Sequence, residues 1–121
     1  MLYLAALLLI AVGIAHPYLG ERYILIRLFR RDNLPKFLGS TEFTKNTLRF
    51  AWHITTLAWF GIAAILWYFA KVQPMPQTIG LIIGITFIAH GLIALVGSRA
   101  RHLSWPVFFI IGFAALYGAS A

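Results

Sequence analysis

The sequence contains no cysteine and very few acidic residues. Without cysteine among its 121 residues, disulfide frameworks, thiolate metal sites and thiol redox chemistry are excluded. Asp and Glu together number three, and charged residues make up 11% of the chain. Soluble globular domains carry roughly 25% charged residues. The composition therefore excludes an ordinary water-soluble domain.

Apolar residues are abundant: they make up 61% of the chain, and the mean hydropathy is +0.85. They form four runs, each near the roughly 20 residues that cross a bilayer core. Backbone donors in lipid must be satisfied within the segment, which favours helices. The sequence predicts one all-α integral membrane domain, 1–121, folded as a four-transmembrane-helix antiparallel bundle. The predicted spans are about 2–19, 47–70, 78–97 and 103–121, with a cytoplasmic segment at 20–46.

The basic residues predict the topology. Of the ten Lys and Arg residues, seven lie between Arg22 and Arg49 and two are Arg99 and Arg101. Loops rich in Lys and Arg stay in the cytoplasm, so both basic segments are expected inside and both termini outside. This distribution orients a membrane protein and does not indicate a nucleic-acid partner. A bacterial inner membrane is the expected location.

The segment after the first run has an amphipathic pattern. Within residues 23–29, Ile24, Leu25 and Leu28 fall on one helical face. We expect this segment to lie in the membrane interface, with its arginines near anionic lipid headgroups. These arginines are Arg22, Arg27, Arg30 and Arg31. Ser40 or Thr41 is expected to cap the helix that leads into the second span.

All four histidines fall in the predicted cytoplasmic half of the membrane. At 1.5 Å per residue, His16, His53 and His90 lie roughly 5 to 11 Å deep, and His102 opens the last span. Glu21 is the one acidic residue next to a predicted span. Ionisable residues in spans usually face the bundle interior, so this shared depth predicts a functional cluster.

A cluster of imidazoles and one carboxylate indicates a metal site. The expected ligands are His53 and His90, with His16, Glu21 and His102 as additional partners. A non-haem transition metal (Fe, Zn or Cu) is favoured over haem b. If the cofactor is haem, His53 and His90 would be its two axial ligands. Redox chemistry or metal handling would be the function.

Two other functions stay open at this stage, and no catalytic motif decides between an enzyme and a binding protein. Histidine boxes, the zincin motif, Walker motifs and nucleophile elbows are all missing from the sequence. One alternative is a small non-catalytic membrane subunit or adaptor that binds copies of itself or another membrane protein. The other is an interfacial enzyme on anionic amphiphiles, with Glu21, Arg22, Arg27 and His53 at the headgroup.

Overall fold

The computed structural model describes residues 1–71 and 73–120, and these residues are almost entirely helical. Three helices are long and apolar enough to cross a membrane, and the fourth is apolar but only 17 residues long. Residue 72, in the predicted turn after the second span, and residue 121, the predicted end of the last span, lie outside the described residues. The four helices are α1 (Leu2–Leu28), α2 (Glu42–Lys71), α3 (Pro76–Gly97) and α4 (Ser104–Ser120).

Helix α1 extends nine residues beyond the predicted end of the first span. Its regular part, Leu2–Leu19, continues through a wider π-helical turn at Gly20–Leu25 and ends at Leu28. The segment predicted to lie separately in the interface is therefore a continuation of this helix. Residues 20–28 contain no proline, so the helix persists until the turn-forming residues around Asn33 and Pro35.

Helix α2 begins at Glu42, five residues before the predicted start of the second span. The backbone N–H of Glu42 donates a hydrogen bond of 3.3 Å to the hydroxyl of Ser40, which confirms the predicted cap. The hydroxyl of Thr44 donates to the carbonyl oxygen of Pro35 at 2.8 Å. These two bonds connect the first turn of α2 to the loop before it.

The α3–α4 turn is tight and is held to the start of α2. Arg99 and Ala100 adopt left-handed backbone conformations, with φ of 52° and 62°, and the N–H of Ala100 donates to the carbonyl oxygen of Leu95 at 2.8 Å. The guanidinium of Arg99 donates to the carboxylate of Glu42 at 2.6 Å. This turn and the loop before α2 thus share one end of the molecule, which we call the basic end.

The helices pack in chain order as an open row. Helix α1 packs on α2, α2 on α3 and α3 on α4, and among the described residues no other pair of these helices makes a close backbone approach. The α3–α4 contact is close because Gly84 and Gly112 face each other, and a Cβ on either would lie 3.0 Å from the other's carbonyl oxygen. An antiparallel bundle of four helices was predicted. In this row α1 and α4 do not approach each other, so the outer face of each is unpaired among the described residues.

Candidate functional site

His16 is held by two tryptophans of α2. Its ring stacks on Trp52 at 4.6 Å between centroids and meets the edge of Trp59 at 4.7 Å. The indole N–H of Trp52 also donates to the main-chain oxygen of His16 at 3.1 Å. The buried Nδ1 of His16 has no hydrogen-bond partner within the described structure. These contacts give His16 a packing role between α1 and α2.

His102 has a capping role at the start of α4. Its Nδ1 accepts the backbone N–H of Ser104 at 3.2 Å and lies 2.8 Å from the hydroxyl of the same residue. The imidazole ring packs against Phe43 and Phe50 of α2. Both hydrogen bonds join Nδ1 of His102 to Ser104, the first residue of α4. His102 therefore stabilises the turn between α3 and α4.

His90 belongs to α3 and is buried against the neighbouring helices, with only 4% of the residue exposed. Its Nδ1 lies 2.7 Å from the main-chain oxygen of Thr86, one helical turn earlier. The ring stacks on Phe87 and meets the edge of Phe108 from α4. These surroundings are aromatic and uncharged.

His53 and Glu21 are brought together across the α1–α2 contact. The Nε2 of His53 lies 3.3 Å from one carboxylate oxygen of Glu21, and the guanidinium of Arg49 lies 2.5 Å from the other. The Arg49 guanidinium also lies 4.9 Å from the centre of the Phe29 ring. We call Glu21, Arg49 and His53 the Glu21 cluster. It joins the π-helical turn of α1 to the first half of α2.

The five predicted metal ligands do not assemble in one place. Of this set, the structure brings Glu21 and His53 into contact, and residues 1–71 and 73–120 contain no group of three His, Cys, Asp or Glu side chains that could hold a metal ion. Structural zinc takes four ligands and catalytic zinc takes three from the protein. The metal or haem centre therefore stays a prediction.

A groove opens beside the Glu21 cluster, between α2 and α3. It has a volume of about 430 Å³. On α2 it is lined by Asn46, Arg49, Phe50 and His53, and on α3 by Leu92, Ile93, Val96 and Gly97. The polar side chains all come from α2 and lie towards the basic end, whereas the α3 wall is apolar.

An apolar cavity of about 300 Å³ follows the groove away from the basic end. Its walls include Leu57, Phe60 and Ala64 of α2 and Ile85 and Ala89 of α3. Steps of three or four residues connect these positions to Arg49 and His53 on α2 and to Leu92 and Val96 on α3, so they share one stripe of each helix. We call the two cavities together the α2–α3 groove.

The sequence placed Glu21 and His53 among the predicted ligands and Arg49 on the same helical face as His53, but it gave Arg49 no role in the site and did not single out Asn46. The signal was present, because Asn46, Arg49 and His53 are spaced by three and four residues and hence share one face of a helix. The contact of Trp52 with His16 could not be predicted from spacing alone, because it depends on which helices are neighbours.

Comparisons with known proteins gave no relative: no family model, no curated protein and no solved structure matches this chain. The class that the fold itself defines is an all-helical protein whose apolar helices suit a membrane.

Proposed function

We propose that this chain is a four-span membrane protein that binds an anionic amphiphile in the α2–α3 groove. The observation that carries this proposal is a groove lined mainly by apolar surface that has Arg49 and His53 among its lining residues at the basic end. Such a groove matches a molecule with a hydrocarbon chain and a charged headgroup.

The Glu21 cluster supplies the headgroup site. A guanidinium has five N–H donors in a planar fork that suits phosphate and carboxylate oxygens. Glu21 holds one side of the Arg49 fork, while the Arg49 side chain stays 44% exposed. Because a carboxylate accepts hydrogen bonds, the N–H of His53 that meets Glu21 is on Nε2, and Nδ1 has the free lone pair when the ring is neutral.

The apolar remainder is long enough for an acyl chain. From His53 to Ala64 the lining stripe of α2 rises by roughly 17 Å, at 1.5 Å per residue. This is close to half of the hydrocarbon core of a bilayer, which is about 30 Å thick in all, and an acyl chain of one leaflet occupies that half. The headgroup would then lie at the basic end and the chain would follow α2 towards the membrane centre.

The net charge of +7 supports an anionic ligand and a cytoplasmic basic end. Exposed arginines along the end of α1 and the following loop raise the local concentration of anions. The same charges favour retention of this end in the cytoplasm, with both termini outside. The arginines that would also contact anionic lipid headgroups are Arg22, Arg27, Arg30 and Arg31.

The test is lipid binding in nanodiscs of phosphatidylcholine, with a phosphatidic acid and a phosphatidylcholine of equal chain length as probes. Phosphatidic acid should bind more tightly than phosphatidylcholine. Arg49→Gln should weaken the binding of phosphatidic acid by about tenfold or more, because a hydrogen bond to a charged group contributes roughly 1.5–3 kcal/mol.

Arg99→Gln is the matched control. It removes the same charge at the same end of the molecule, but Arg99 pairs with Glu42 and does not line the groove. If the two variants weaken the binding of phosphatidic acid equally, the positive charge of the basic end attracts the anion in general, and the groove site is refuted. Equal binding of the two probes by the unchanged protein would refute it as well.

A second candidate is a non-catalytic subunit that associates with another copy in the membrane, and the open row of helices favours it. The outer face of α4 is unpaired, with Ile110 68% exposed and Tyr117 79% exposed. Because the chain has no cysteine, Ile110→Cys should form a disulfide-linked dimer in membranes under mild oxidation. Leu8→Cys, on the exposed side of α1, is the control away from this face. A monomer for Ile110→Cys under those conditions would exclude association through this face.

A further inference from the structure

A separate cavity lies on the other side of the α2–α3 contact. It has a volume of about 220 Å³, and its walls include Ala58 and Ile62 of α2 and Phe87 and His90 of α3. Gly61 and Thr86 separate it from the α2–α3 groove: they touch so closely that a Cβ on Gly61 would lie 2.8 Å from the Thr86 hydroxyl oxygen. We call it the His90 cavity.

The hydrogen bonds of His90 determine which nitrogen is available to a ligand. Nδ1 lies 2.7 Å from the main-chain oxygen of Thr86, and a carbonyl oxygen can only accept. Nδ1 therefore carries the proton, and Nε2 of the neutral ring has the lone pair. The Thr86 hydroxyl donates to the Ile82 carbonyl oxygen at 2.7 Å, and its oxygen can accept as well, so the measurement that identifies the ligand's acceptor has to observe Nε2 of His90 itself.

The lining of the cavity excludes several ligand classes. It contains no Lys, Arg, Asp or Glu, so a charged ligand would lose its hydration without gaining a counter-charge. A metal ion would find one imidazole, short of the three or four ligands that zinc takes. What remains is an uncharged, largely apolar molecule with one hydrogen-bond donor.

The volume and the aromatic wall favour a single ring. An apolar cavity of about 150 Å³ is enough to bind benzene, so 220 Å³ admits a ring with small substituents. Phe87 stacks on the His90 imidazole at 5.1 Å, so an entering ring would meet aromatic surface beside the acceptor nitrogen. We propose that the His90 cavity binds a hydroxylated aromatic ring, of the phenol or quinol type, whose O–H donates to Nε2 of His90.

The test uses p-cresol and toluene, which have similar shapes and differ in the hydroxyl group. Protein with 15N-labelled histidine in nanodiscs should show a shift of the His90 Nε2 resonance with p-cresol and none with toluene. Corrected for partition into protein-free nanodiscs, p-cresol should bind about fivefold more tightly, the range of one neutral hydrogen bond. Equal binding, or an unmoved Nε2 resonance, would overturn the proposal.

His90→Phe should remove the preference for p-cresol over toluene while keeping a ring-sized environment. If that variant does not fold, the Nε2 measurement on the unchanged protein still decides. An excess of phosphatidic acid should leave p-cresol bound, because Gly61 and Thr86 separate the two sites. Displacement by phosphatidic acid would place p-cresol in the groove and refute the His90 cavity, whereas failure of phosphatidic acid to bind would leave the p-cresol result intact.

Discussion

Trp52 contacts His16 in two ways at once: its indole N–H donates to the main-chain oxygen of His16 and its ring stacks on the imidazole. This double contact lies directly before the π-helical turn of α1, and Gly20 at the start of that turn leaves the space that the indole occupies. A π-helical turn inside an α-helix frequently marks a functional site. In this protein the π-helical turn contains Glu21. The contact of Trp52 directly before that turn therefore positions the proposed headgroup site.

We expect Gly20→Ala to destabilise the protein. The added Cβ would collide with the Trp52 indole, and overpacking of this kind costs about 1–3 kcal/mol. The measurement is thermal or denaturant unfolding in detergent, followed by circular dichroism. Gly118→Ala is the control, since a Cβ there meets nothing within 4 Å and should leave stability unchanged or raise it slightly. Equal stability of the two variants would contradict the contact.

Glu21→Gln should strengthen the binding of phosphatidic acid, by about three- to tenfold. The carboxylate lies against both Arg49 and His53, so its charge opposes an anion in the groove, while a glutamine oxygen can still accept from the guanidinium. Affinity in nanodiscs measures the change. Glu42→Gln makes the same change of charge at the Arg99 pair and should have little effect. Weaker binding of phosphatidic acid by Glu21→Gln would contradict this prediction and would mean that the charge of Glu21 is needed to hold Arg49 in place.

The proposed topology can be checked by thiol labelling, because every introduced cysteine is the only one in the chain. Gln73→Cys and Ser120→Cys should react with a membrane-impermeant maleimide in intact cells or spheroplasts. Lys36→Cys should react only after the membrane is opened. All three positions are exposed in the protein. Labelling of Ser120→Cys on the same side as Lys36→Cys would show that α4 does not cross.

Metal analysis separates the amphiphile proposal from the metal prediction. Protein purified without chelators should contain well under one transition-metal ion per chain, since Glu21 and His53 form a pair and not a set of three. Elemental analysis and an absorption spectrum give the answer. A stoichiometric metal or a Soret band that is lost in His53→Ala would restore the metal centre and displace the groove as the principal site.

The position of each histidine along its helix could be predicted from sequence, but their grouping could not. Depth follows from position along a helix, at 1.5 Å per residue. Grouping depends on which helices are neighbours and on how each is rotated about its axis. His90 was paired with His53 because the two were expected at similar depths on consecutive antiparallel helices. In the row, His53 lines one side of the α2–α3 contact and His90 lines the other.

Local features were easier to predict from the sequence than the packing of the helices. The cap at Ser40 was predicted, with Thr41 as the alternative, because a cap depends on the chemistry of a few adjacent residues. The continuation of α1 to Leu28 was missed because the charge of residues 22–31 suggested a separate interfacial segment. Charge reports on the surroundings of a segment and not on where its backbone changes direction.

The row of helices also bears on how the protein is made. Among the described residues, every close contact between helices joins two helices that are consecutive in the chain. Each newly synthesised helix therefore finds its partner already made, and no helix has to pack against one made much earlier. We therefore expect assembly to follow synthesis hairpin by hairpin. A chain that stops at Lys71 should already bury the Trp52 indole against His16, which tryptophan fluorescence would report as a blue-shifted emission relative to the Gly20→Ala form.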